Sequence, residues 1–253
     1  MPITKYKVLI SDVDGTLTPI AMGALPSIGV TTKIKTAVDK GLIFVMATGR
    51  PFSRLKYLID YFSHVGLCIV DNGAAIINND GRVIWEAILP NNHANKILEL
   101  SKSFKLVRAS CETEVFENPK TIPNSVKVRK ISVHNISIGQ AETLFDRVNS
   151  EFNDVTCVKA ASYEAPHLVD VYFSNINATK QHAILSMAKI LGINRREIIG
   201  VGDGYNDFSL LMACGLKVAM GNAVDELKEI ADYIAPSVDN DGLVDVLEKY
   251  YFS

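Results

Sequence analysis

The 253-residue chain has no excess of charge of either sign: 26 basic side chains stand against 28 acidic ones, a formal net charge of −2. A general nucleic-acid binder needs a basic footprint, so nucleic acid drops out as a partner. No apolar run approaches the ~18 residues of a membrane span, and no membrane partner is expected. The first apolar stretch, Val8-Leu9-Ile10, is cut short by acids and is too brief for a signal peptide. Four cysteines, Cys68, Cys111, Cys157 and Cys214, are scattered without a Cys-x-x-Cys pair. That pattern argues against a disulfide framework or a zinc site, and reduced, mostly buried thiols are expected. The five histidines, His64, His93, His134, His167 and His182, show no ligand spacing. There is no Gly-x-Ser-x-Gly elbow and no Walker A lysine, which removes serine-hydrolase and P-loop chemistry. Asn135-Ile136-Ser137 and Asn177-Ala178-Thr179 match glycosylation sequons, but such short patterns arise by chance. The expectation is a cytoplasmic protein.

What is present is a hydrophobic fraction of 48%, ample for real cores and wrong for a disordered chain. The length lies between one domain and two. Short, continuous apolar runs recur at 8–10, 42–47, 67–70, 198–201 and 216–219. Continuous rather than alternating apolarity suits strands buried on both faces, as in a parallel sheet. Helical patterns separate several of them. In 180–191, Ile184, Leu185, Ala188 and Leu191 are assigned to one helical face. The expected fold class is α/β.

The middle of the chain reads differently. Residues 74–77, an Asn78-Asn79-Asp80-Gly81 turn and Val83-Ile84-Trp85 form an expected hairpin. A helix near 94–104, strands near 105–109, 114–116, 128–134, 155–160 and 168–173, and an amphipathic helix over 140–152 follow. In the last strand Val169, Val171 and Phe173 alternate with Asp170, which predicts an antiparallel sheet with one solvated face. An α+β insert over 85–178 is therefore expected inside an α/β core of 1–84 and 179–253.

The chemistry-bearing residues sit where strands end. Asp12-Val13-Asp14-Gly15-Thr16 follows the first apolar run, and Gly202-Asp203-Gly204-Tyr205-Asn206-Asp207 follows the run at 198–201. Sites in open α/β sheets form at the carboxyl ends of strands. The glycines do not complete Gly-x-Gly-x-x-Gly, and carboxylates repel a pyrophosphate unless a cation intervenes. Four carboxylates from two strand ends suit a hard divalent cation with oxygen ligands, Mg²⁺ above all. Asn206 could also cap the helix that follows. Lys180 opens a helix, and a cation there opposes the macrodipole, so a neighbouring anion is expected.

Asp-x-Asp-Gly-Thr, the later Ala47-Thr48-Gly49-Arg50, a lysine opening a helix, and Gly-Asp-Gly-x-Asn-Asp together resemble the four motifs of the haloacid dehalogenase (HAD) superfamily. The insert between the second and third motifs, with Asn72-Gly73-Ala74 before it, resembles Cof-type phosphatases with a C2B cap. Gln181 stands where that subgroup often has glycine. The resemblance implies a Rossmann-like parallel-sheet core with an inserted α+β cap that sets specificity. It also implies a Mg²⁺-dependent phosphatase acting on small phosphorylated metabolites, sugar phosphates foremost, through an aspartyl-phosphate.

By the same resemblance Asp12 is the nucleophile, and Asp14 is the general acid and then the base. Thr48, Gly49, Lys180 and Asn206 bind the phosphoryl group. Asp12, the main-chain carbonyl of Asp14, Asp203 and Asp207 hold Mg²⁺. A phosphosugar mutase resembling phosphomannomutases is the alternative, and a non-catalytic phosphometabolite sensor a further one. A monomer or small homo-oligomer is expected.

Other residues carry local readings. Arg50 caps a strand end, pairs with an acid or contacts substrate. Asn72 belongs to an Asn-Gly turn or lines the site. Asn222 resembles a recurring Cof-type Asn-Ala and equally suits helix capping. Lys127, Arg129 and Lys130 read as a solvated sheet face, or as a cap surface that meets an anionic substrate.

Overall fold

The structure, a computed structural model, describes residues 6–21, 23–62, 65–112, 114–162, 165 and 167–253; His64 lies outside them. The chain divides into two compact units, Met1–Trp85 with Thr179–Ser253, and Glu86–Ala178.

In chain order the first unit opens with β1 (Val8–Ser11), α1 (Ile28–Asp39), β2 (Ile43–Ala47), α2 (Lys56–Phe62), β3 (Leu67–Val70), β4 (Ala75–Asn78) and β5 (Val83–Glu86). The second unit carries α3 (Asn91–Ser101), β6 (Val107–Cys111), β7 (Val115–Glu117), β8 (Val128–Ile136), α4 (Ile138–Glu151), β9 (Val155–Ala161) and β10 (Val169–Asn175). The chain then returns to the first unit with α5 (Lys180–Leu191), β11 (Ile198–Gly202), α6 (Phe208–Ala213), β12 (Leu216–Ala219), α7 (Asp225–Glu229), β13 (Tyr233–Ile234) and α8 (Gly242–Tyr250).

The first unit's sheet runs β13-β12-β11-β1-β2-β3-β4-β5. β1 lies at its centre, parallel to β11 on one side and β2 on the other. The hairpin strand β4 turns back, antiparallel to β3. Successive residues of β1 enter opposite cores. Leu9 joins the layer of Phe44, Met46, Val70, Val201 and Val218 on one face. Val8 and Ile10 join that of Val45, Ala47, Ile69, Ile184 and Leu210 on the other. Burial on both faces is why these strands are apolar at every position rather than at alternate ones.

α5 differs from its expected face. Its buried residues are Lys180, Ala183, Ile184, Met187 and Ala188, whereas Leu185 and Leu191 are 42% and 36% exposed. Residues 184 and 185 stand ~100° apart around a helix, and the stripe at i, i+3, i+4, i+7, i+8 from Lys180 is the one that meets the sheet.

The second unit is an antiparallel sheet, β7-β6-β8-β10-β9, with α3 and α4 against its apolar face. The opposite face is polar, as expected, but its centre is buried, and its edges, at Glu117 and Ala160, are exposed. Ser110, Arg129, Lys130, Ser132, Asp170 and Ser174 are all buried. Several of these groups bond one another, while Arg129 Nε and Nη2 have no hydrogen-bond partner among the described residues. His134 Nδ1 lies 2.8 Å from Asp170 Oδ2, His134 Nε2 lies 2.8 Å from Ser132 Oγ, and the Asn135 amide donates to Asp170 Oδ1 at 3.0 Å. Lys127 pairs with Glu86, Arg129 Nη2 stands 3.7 Å from Glu86, and Lys130 sits over the Tyr172 ring at 5.3 Å. The basic cluster is thus not a solvated face: only Lys127 reaches water freely, with half its side chain exposed. All four cysteines are free, and three are buried.

Candidate active site

β1 ends at Ser11, and the Asp12 amide continues the ladder by donating to Val201 O at 2.9 Å. The chain then turns through Gly15 at φ +87°. This conformation suits glycine, and so does the space: a Cβ on Gly15 would stand 2.2 Å from Asp203 Oδ2. Two further bonds tie the turn to the loops after β11 and β12. Thr16 Oγ1 donates to Asp203 Oδ1 at 2.7 Å, and Asn222 Nδ2 donates to Gly15 O at 2.8 Å. Asn222 Oδ1 accepts from the Val238 amide at 2.9 Å. It therefore bridges loops rather than capping α7, whose N-cap is Val224.

After β11, Asp207 folds back on its own loop. Its Oδ2 accepts from the amides of Asp203 and Gly204 at 3.0 Å each. Its Oδ1 accepts from Lys180 Nζ at 2.6 Å, and the same ammonium donates to Asp12 Oδ1 at 2.5 Å. The anion expected beside this helix-opening lysine is thus two carboxylates. Thr179 caps α5, its hydroxyl accepting from the His182 amide at 3.1 Å. Asp71, Asn72 and Gly73 are three consecutive left-handed residues after β3. They bring Gly73 so close to α5 that a Cβ there would lie 2.1 Å from the Thr179 carbonyl carbon.

Electrostatics follow from this crowding. Burial, and then the neighbouring Asp207 carboxylate, push the Asp12 carboxyl well above its usual range, with Lys180 opposing them. Burial raises Asp203 to about 6 against the bond from Thr16. Burial alone would lower Lys180, but Asp12 and Asp207 outweigh it and hold the ammonium charged. One carboxylate oxygen from each of Asp12, Asp203 and Asp207 can be chosen so that all lie within 4.8 Å of one another. Three buried carboxylates around a single ammonium leave uncompensated negative charge, and an all-oxygen donor set of that charge fits a hard divalent cation.

The structure thus brings Asp12, Lys180, Asp203 and Asp207 together. Asp14 turns elsewhere, its carboxylate held by the Arg50 guanidinium. Thr48, 1% exposed, follows β2 beside β1, and its hydroxyl accepts from the Arg50 amide at 3.1 Å. Gly49 lies against Asn72, whose Oδ1 would be 2.9 Å from a Cβ there. Asn206 is exposed and does not cap α6: the N-cap position is Asp207, whose side chain is committed elsewhere. Thr16 and Gly73 stand inside motifs that give them no contact of their own; the fold shows Thr16 bonded to Asp203 and Gly73 against the start of α5.

The family model of the haloacid dehalogenase-like hydrolases matches residues 9–116 and 108–247. The chain belongs to that family. This HAD-like hydrolase is 25% identical over 248 residues to a phosphoglycolate phosphatase of Methanosarcina acetivorans, covering 96% of each chain. It is 27% identical over 250 residues to the 5-amino-6-(5-phospho-D-ribitylamino)uracil phosphatase YcsE of Bacillus subtilis, covering 96% of this chain and 95% of that one. Among solved structures, a HAD-superfamily phosphatase of Bacteroides thetaiotaomicron superposes with a TM-score of 0.81 at 25% identity, over 97% and 95% of the two chains. A HAD subclass IIB sugar phosphatase shares the fold, with a TM-score of 0.78 at 24% identity over 96% and 98%. The HAD-like hydrolase is thus a Cof-type phosphatase, a phosphoric monoester hydrolase with a Rossmann-like core and a second, antiparallel α+β unit.

Proposed function

We propose that this HAD-like phosphatase hydrolyses small phosphorylated metabolites, sugar phosphates foremost, with Mg²⁺ and an aspartyl-phosphate on Asp12. The observation that carries the reading is the Lys180 ammonium between Asp12 and Asp207, at the carboxyl edge of the central strands. Asp12 attacks phosphorus as the bond to the leaving oxygen breaks, and Asp14 gives that oxygen its proton. Asp14 then takes a proton from the water that releases phosphate from Asp12. Lys180 and Thr48, with the backbone at Gly49, meet the phosphoryl oxygens, where charge is spread in the transition state. Asp207, with both oxygens engaged, holds Lys180 and the Asp203 loop in place. Asp12, the Asp14 carbonyl and Asp203 would hold Mg²⁺, with Asp207 beside them. When bound, the ion supplies the positive charge that lets a carboxylate approach a phosphate dianion. The unit at Glu86–Ala178 serves as the specificity domain, and the protein is cytoplasmic.

Hydrolysis of p-nitrophenyl phosphate, with and without Mg²⁺ and with Asp12→Asn as control, tests the chemistry. Equal rates for wild type and variant would sink it. A panel of sugar phosphates, nucleotides and vitamin phosphates tests the substrate class. Interconversion of sugar 1- and 6-phosphates with little free phosphate would replace hydrolase by mutase.

A further inference from the structure

Each nitrogen of the Arg50 guanidinium donates one hydrogen bond to protein. Nε donates to Asp14 Oδ2 at 2.9 Å, and Nη2 donates to Asp14 Oδ1. The third nitrogen, Nη1, donates to Tyr57 Oη at 2.9 Å, and that hydroxyl donates onward to Ala24 O at 3.3 Å. The backbone is pinned as well: the Arg50 amide donates to Thr48 Oγ1 and its carbonyl accepts from Asp71 N at 3.0 Å. A planar fork seated on both oxygens of a carboxylate fixes the plane of that carboxylate, which a lysine cannot do.

Two bland explanations fit poorly. As a stabilising ion pair the contact is weak in kind, because the Asp14 side chain is 37% exposed and such pairs contribute little. As a substrate ligand, Arg50 has only the second N–H of Nη1 and of Nη2 left to offer, since Nε and one N–H of each terminal nitrogen are committed. What the fork does achieve is orientation. Asp14 follows a loop turn, half in water, and without the fork its carboxyl would sample several rotamers. The fork takes one lone pair from each oxygen and leaves the other for a proton.

We infer that Arg50, braced by Tyr57, is the positioning residue that aims Asp14 at the leaving oxygen. The inference rests on Asp14 acting as the acid in the reading above. The step it serves is balanced: the Asp12 oxygen–phosphorus bond forms, the phosphorus–leaving oxygen bond breaks, and the Asp14 proton passes to that oxygen. The products are a neutral alcohol, an Asp14 carboxylate and phospho-Asp12.

Leaving-group dependence separates aim from simple structure. p-Nitrophenolate departs without a proton, whereas an alkoxide does not. The readout is the single-turnover rate of the first step, because hydrolysis of phospho-Asp12 is common to every substrate: for Arg50→Ala the expected result is a fall of about 100-fold with glycerol 3-phosphate, against less than about 5-fold with p-nitrophenyl phosphate. Free guanidinium ion restores part of the loss, and Arg50→Lys, which keeps charge but not the fork, does not. Tyr57→Phe shows a smaller loss with the same selectivity, and it carries the test if Arg50→Ala fails to fold. Equal losses on both substrates, a rise in KM alone, or full activity of Arg50→Lys would overturn the inference. Asp14→Asn is measured alongside. If it is selective and Arg50→Ala is not, the positioning role alone fails. If Asp14→Asn is not selective either, the acid assignment fails and takes the positioning role with it.

Discussion

Lys180→Met is expected to cost more in stability than any surface change, and to do so in a pH-dependent way. Lys180 is 1% exposed and touches Asp12 and Asp207 at 2.5 and 2.6 Å. Removing one partner of a buried ion pair costs about 3–5 kcal/mol, because a charge is left without compensation. Here two carboxylates lose the same partner, which favours the upper end. For a chain of this size each kcal/mol moves Tm by about 2–4 °C, so a fall of roughly 10–20 °C follows at pH 8. The sign with pH is set by Asp12, which burial and Asp207 already hold well above its usual range. A carboxyl raised in the folded state costs nothing while it is protonated in both states, and it destabilises as pH rises through its folded value. The deficit of the variant therefore shrinks as pH falls from 8 to 5. Mg²⁺ is expected to raise the Tm of the variant more than that of the wild type, because the variant cluster carries one more uncompensated negative charge. Thermal melts across that pH range, with and without Mg²⁺, decide it. A variant melting within about 2 °C of wild type at pH 8, or a deficit that grows on acidification, would refute the reasoning.

Other expectations need less development. Gly15→Ala, with its Cβ 2.2 Å from Asp203 Oδ2 and a φ of +87°, should lose about 1–3 kcal/mol and its Mg²⁺-dependent thermal shift while keeping its far-UV circular dichroism. Asp170 sits below the usual carboxylate range: burial pushes it up, but the His134 bond and the Asn135 amide outweigh burial. Its contribution is present above pH ~4 and fades as pH falls through the depressed value, so Asp170→Asn should lose about 1–2 kcal/mol at pH 7 and progressively less as the solution is acidified below pH ~4, read by urea titration. Burial pushes the Cys68 thiol up to about 12 and the half-buried Cys157 to about 11. Timed alkylation with mass spectrometry should therefore label Cys157 before Cys68, and the reverse order would contradict the burial described.

Much of the fold is written in local pattern. The runs at 8–10, 42–47, 67–70, 198–201 and 216–219 all became strands of one sheet, because a strand covered on both faces must be apolar throughout. The acids at two strand ends were legible for a related reason: carboxylates directly after a buried strand stand out from it. Other features misled. The α5 pattern allowed more than one apolar stripe, and only the sheet it packs on selects 183, 184, 187 and 188. Alternation around Asp170 suggested water on one face, yet a histidine and an amide satisfy that carboxylate out of solvent.

The sequence by itself determined the α/β class, the α+β interruption, and which acids leave strands beside which glycines, since each depends on neighbours a few residues apart. Only the tertiary structure decided which of those groups touch. Lys180 meets Asp12 across 168 residues, Thr16 meets Asp203 across 187, and Asn222 meets Gly15 across 207. Asp14 turns to Arg50 rather than to the other acids. Such contacts are set by the order of strands in the sheet and by left-handed turns that steer single loops, and no local period encodes either.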